Sequence, residues 1–238
     1  MGTSERGPIS IIDAPARPSD IRLAYLIIGC LAAAIVVSAP FSGIVLEGSE
    51  PLLPAYAAAL LINELITFTL LAAVYAVERS RAVLILAAGY LFGSLTVIPW
   101  MLSFPGVFPI IGLDAGLQGA AFIAALRRIG LPLFLLAYAM LRGRPSVSPD
   151  GSSLGLVGTI VLVGGSVAIM TAFVLAGQQA LPPLMRDTRN VAVLWQVVPA
   201  ITLVLYAATL IALWRGRQTI LDLWLMVVVV SLVVELVM

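Results

Sequence analysis

Seven stretches of this chain run for roughly 17–25 residues with almost no charge, a length that crosses a hydrocarbon core of about 30 Å. They fall at about residues 23–39, 55–77, 82–102, 117–141, 154–176, 191–214 and 220–238. Lipid offers the backbone no hydrogen bonds, so each stretch must satisfy its own N–H and C=O groups as a helix. The expected fold is therefore all-α, a polytopic transmembrane helix bundle with seven helices. Only 11% of the 238 residues are charged, against roughly 25% in a soluble domain, too few to coat a water-facing surface. Residues 1–22 read as an N-terminal tail and residues 23–238 as the membrane domain.

Orientation follows from arginine, because short loops rich in basic residues stay on the cytoplasmic side. The tail carries Arg6, Arg17 and Arg22, and later loops on the same side carry Arg79 and Arg81, Arg142 and Arg144, and Arg215 and Arg217. Only Arg186 and Arg189 fall on the other side, so nine basic residues stand against two. The N-terminus is expected in the cytoplasm, with the first helix a retained signal-anchor. Seven helices from that start leave Met238 outside, still within an apolar run, which leads to the expectation of an eighth helix downstream.

What is missing narrows the chemistry. All 13 basic residues are arginine and there is no histidine. Without lysine there is no retinal Schiff base, and without histidine the commonest ligand of membrane haem and a common ligand of catalytic zinc are lost. Cys30 is the single cysteine, so there is no internal disulfide and no Cys-x-x-Cys pair. A net charge of +1 argues against nucleic acid as a partner. No nucleophile–base pair, phosphate-binding glycine loop or metal-ligand cluster stands out, and no cofactor is expected.

Three charges lie where charge is costly. Glu64 sits about nine residues from the outer end of the second segment, and Arg127 and Arg128 about ten from the outer end of the fourth. At 1.5 Å per residue both levels are about 14 Å deep. Intramembrane charges usually face the bundle interior and usually pair, which predicts Glu64 beside Arg127 or Arg128, with Gly93 or Ser94 at the same level. The site reads as a polar pocket for a ligand, as a structural ion pair, or as arginines snorkelling to headgroups. Gly89 and Gly93 form a small-xxx-small pattern suited to close helix packing, within the chain or at a homodimer seam. The stretch 104–109, with two prolines and Phe104, reads as an aromatic interface belt or as a lid over Glu64. Pro199 and Gln196 read as structural, the glycines of 155–165 as packing material, and Asp222 as a solvated partner of Arg215 and Arg217.

Residues 47–141 resemble a bacterial family, the fourth membrane-associated sensor domain (MASE type four). The resemblance rests on Pro51-Leu52-Leu53-Pro54-Ala55-Tyr56, Asn63-Glu64-Leu65-Ile66-Thr67, Arg79-Ser80-Arg81-Ala82, Gly89-Tyr90-Leu91-Phe92, Ile98-Pro99-Trp100 and Ser103-Phe104-Pro105-Gly106-Val107-Phe108. Residues 112–118, Gly130-Leu131-Pro132 and Leu221-Asp222-Leu223-Trp224-Leu225-Met226 extend it. It implies eight helices in the bacterial inner membrane, acting as signal input for a cytoplasmic histidine kinase or GGDEF diguanylate cyclase, with no catalysis in the membrane part. Trp100 and Arg128 stand where the family usually has histidines, and Glu64 where it usually has aspartate, so any histidine-based sensing chemistry is changed or lost here. The candidate signal-binding set is Asn63, Glu64, Trp100, Phe104, Arg127 and Arg128, with membrane lipid, a small-molecule ligand and a second copy of the chain as partners. The alternative from another class is a small transporter or channel lined by Glu64 and the two arginines.

Overall fold

A computed structural model describes residues 15–38, 40, 52–103, 113, 115–143, 152–177, 181–185, 192–216 and 219–237. Among these, seven α-helices follow one another: α1 (Pro18–Ser38), α2 (Leu52–Glu78), α3 (Arg81–Leu102), α4 (Gly116–Leu141), α5 (Ser152–Ala176), α6 (Val197–Arg215) and α7 (Ile220–Val237). A 3-10 turn, Val193–Gln196, leads into α6. Six of the helices are long and apolar enough to cross a membrane. No strand occurs among the described residues, where one isolated antiparallel bridge joins Pro15 to Thr219.

Most helix ends fall within three residues of the expectation, and the exceptions have local causes. α1 begins at Pro18, five residues before the apolar run at residue 23. Proline suits the first helical position, where its missing N–H costs nothing, and the Asp20 carboxylate accepts from the Arg17 N–H at 3.1 Å. α1 is described as far as Ser38, and the residues that directly follow Pro40 lie outside the described ones. α2 takes Pro54 into its first turn, where backbone donors lack helical partners in any case. The helix expected from residue 191 starts as the 3-10 turn and becomes α-helical only at Val197.

The chain divides into two compact units. Residues 46–205 form the larger, built around α3. Two residues separate α2 from α3, and Arg79 closes the turn with a left-handed backbone (φ 53°) while its N–H donates to the Tyr75 carbonyl at 2.8 Å. So short a connection folds the helices into an antiparallel pair. α4 and α5 also pack on α3, and Ala88, Leu91 and Val163 form a core with Phe68, Phe92, Leu95 and Phe134 around it. Gly155 packs against Tyr75, whereas Gly158 and Gly165 face open space, so the glycines of α5 serve as packing material only in part.

The smaller unit comprises residues 1–45 and 206–238. In it α1 lies against α7 through Ala24, Leu223 and Val227. Asp222 is buried rather than solvated. It caps α7: the Thr219 N–H reaches its carboxylate at 3.4 Å, and its own N–H donates to the Thr219 hydroxyl at 3.2 Å. This reciprocal pair satisfies two donors that the first turn of a helix leaves open.

Candidate functional site

Glu64 lies twelve residues into α2 and Arg127 eleven into α4, about 18 and 17 Å along their axes. α2 and α4 both run antiparallel to α3, so the two levels coincide. There the Arg127 Nη2 donates to Glu64 Oε1 at 2.6 Å. Their side chains are 17% and 6% exposed, so water screens the pair little and the attraction is strong. The contact uses one edge of the guanidinium. The Arg127 Nε is buried, and among the described residues it has no hydrogen-bond partner.

The third wall is backbone. A Cβ on Gly93 would stand 2.7 Å from Glu64 Oε2 and 2.9 Å from its carboxyl carbon, so the carboxylate rests directly on α3 and any larger residue would displace it. One turn earlier on α3, Tyr90 is buried and within the field of the Glu64 charge. Gly89 performs the same service for α4, since a Cβ there would meet the Cβ of Phe134 at 2.5 Å. Both glycines of the small-xxx-small pattern are thus used within the chain, each against a different neighbour.

Arg128 follows Arg127 at about 100° around the helix and faces elsewhere. Its guanidinium lies over the Trp195 ring, 5.7 Å from the centroid, and its backbone carbonyl accepts from the Thr202 hydroxyl at 3.4 Å. Of the remaining candidates, two are described. Asn63 is exposed, as expected for the immediate neighbour of an inward-facing residue. Trp100 is half-buried, seven residues and roughly 10 Å along α3 from Gly93. Phe104, and with it the lid, lies outside the described residues.

Trp195 and Gln118 carry contacts that a site search along the sequence passes over, and Tyr90 is buried one turn from Gly93. Tyr90 had a signal, three residues before a glycine at the charge level. Trp195 and Gln118 had none. Gln118 accepts from the backbone N–H groups of Leu184 and Met185 at 2.8 and 3.1 Å, and its amide donates to the Met185 carbonyl at 2.5 Å. These contacts tie the segment after α5 to the start of α4.

Crossing helices, a buried ion pair at the meeting of three of them, and no group of metal-ligating residues among those described define a multi-pass membrane protein with a polar centre. The sequence profile of the membrane-associated sensor, integral membrane domain family (MASE4) matches residues 48–238, and the chain belongs to that family. The match extends well past residues 47–141, over α5, α6 and α7, and leaves α1 outside it. No curated protein and no solved structure matches the chain. The chain is an integral membrane sensor domain.

Proposed function

We propose that this sensor domain is the signal-input part of a bacterial signalling protein, set in the inner membrane with its N-terminus in the cytoplasm. A stimulus at the membrane or its outer side shifts the packing of α2, α3 and α4, and the shift biases a cytoplasmic output domain of kinase or cyclase type. The membrane part performs no catalysis itself. The observation that carries this reading is the Glu64–Arg127 contact seated on Gly93. One hydrogen-bonded contact locks three helices, so loosening it changes how all three pack. Interfaces of this kind have discrete arrangements rather than a continuum, and a family of sensors supplies the setting. The closed contact also favours a link between helices over a transport route.

The test joins Met238, through one unrelated transmembrane helix, to a cytoplasmic diguanylate cyclase and reads cyclic di-GMP in cells. Basal output requires the cyclase to be inside, which for seven native helices plus one requires an inside N-terminus. Glu64→Gln and Arg127→Gln should then shift output in the same direction by about fivefold, the scale of a 1 kcal/mol bias, while Leu70→Ala on the exposed face of α2 should leave it unchanged. Unaltered output from pair variants present at normal levels would refute the reading.

A further inference from the structure

Arg127 and Arg128 are consecutive, yet their charges are treated differently. Arg127 is matched by Glu64 at 2.6 Å. Among the described residues no carboxylate pairs with Arg128, whose contact is the Trp195 ring. The level therefore holds two cations and one anion, with the surplus positive charge at Arg128.

The guanidinium is a flat group whose five N–H donors all lie in its plane. A ring on its face engages the π-system and leaves those donors available at the rim. A planar fork of N–H groups fits the oxygens of a phosphate or carboxylate, two bonds at a time. Helical side chains lean toward the N-terminus of their helix, so the Arg128 head is displaced toward the Gly116 end of α4. Trp195 packs on that same side, against the cluster that Ala121 and Ala125 form one to two turns before Arg128. The neighbourhood is apolar, with Phe122, Ile129 and Met185 packed around Ala121, Ala125 and Val198. Thr202 fixes the seat by donating to both the Arg128 carbonyl and the Val198 carbonyl, at 3.4 and 2.8 Å. A fork of donors on an aromatic plate, bordered by apolar side chains, suits an oxyanion on an apolar carrier.

We propose that Arg128 and Trp195 form a binding site for a phosphate group, namely the phosphodiester of an anionic phospholipid. The site is separate from the Glu64–Arg127 contact and does not depend on what that contact senses.

Native mass spectrometry of the full chain in detergent tests it, comparing phosphatidylglycerol with a phosphate-free glucosyl diacylglycerol of the same acyl chains. The wild-type chain should hold phosphatidylglycerol about tenfold more tightly, the scale of one charge-assisted contact. Arg128→Gln should abolish that preference, and Arg215→Gln, at the exposed end of α6, should keep it. Millimolar inorganic phosphate distinguishes the source. Retention of the lipid supports a phospholipid site, and its displacement by phosphate would overturn the lipid assignment in favour of a soluble anion. No preference in the wild-type chain, a measurement independent of any variant's folding, would overturn the site altogether, as would full preference in Arg128→Gln.

Discussion

α1 and α3 are nearly matched as sequences, with 21 and 22 residues of similar apolarity, yet 6% of the first helix's 18-residue apolar stretch is buried and 72% of the second's. Hydropathy reports which segments leave water. It says nothing about which neighbour they meet, because lipid tails are as apolar as leucine and do not drive helices together. Both helices carry several small residues, and what separates the two is whether a glycine meets a neighbour. α3 carries Gly89, Gly93, Ser94 and Thr96 on buried faces, and these admit Phe134 and the Glu64 carboxylate to its backbone. α1 carries Gly29 with nothing within 4 Å of a Cβ, and among its described side chains only Ala24 is buried.

The strongest way to break this contrast is to remove a charge from the centre beside α3. Glu64→Gln keeps the shape of the side chain and strands Arg127, so it should lower stability by about 3–5 kcal/mol. The readout is the sodium dodecyl sulfate fraction that half-unfolds the protein in mixed micelles, followed by circular dichroism. Combining Glu64→Gln with Arg127→Gln should cost clearly less than the two single losses added together. Strict additivity would mean that the contact contributes nothing to holding α2 and α4 on α3.

A matched pair of glycine substitutions sharpens the contrast. At Gly89 the obstacle is a Cβ of Phe134, which no rotamer change can move away, so Gly89→Ala should destabilise by about 1–3 kcal/mol as overpacking does. Gly29→Ala meets nothing and removes a poor helix former, so it should be neutral or stabilise by up to about 1 kcal/mol. Equal losses at both positions in the same unfolding assay would show that a glycine's close neighbour is not what sets α3 apart.

The sequence made the helices legible because crossing a bilayer imposes a length, and the Glu64–Arg127 contact legible because an unpaired charge at depth is costly. Matched depth alone leads from residue 64 to residue 127 or 128, and to Gly93 or Ser94 beside them. What stayed hidden depends on rotation about a helix and on distant packing. Depth does not say which of two consecutive arginines faces α2, and nothing near residue 128 announces an aromatic ring at position 195. The cap at Asp222 is of the same kind, since Thr219 three residues earlier spells it only once the start of α7 is known. Pro18 and Asp20 start α1 ahead of its apolar run.

The 63-residue separation between Glu64 and Arg127 has a consequence for biosynthesis. At elongation rates of about 5–20 residues per second, Arg127 is made roughly 3–13 seconds after Glu64. α2 therefore leaves the ribosome with an acidic group whose partner does not yet exist. A carboxylic acid can meet lipid by taking up a proton, an option closed to arginine. With the acid first and the base second, the member able to shed its charge is the one that waits. Exchanging the two, Glu64→Arg with Arg127→Glu, would restore the same partners in the finished protein but send the permanent charge in alone. The exchanged chain should reach the membrane in lower yield than the native one, and equal membrane yields would show that the order of synthesis does not matter.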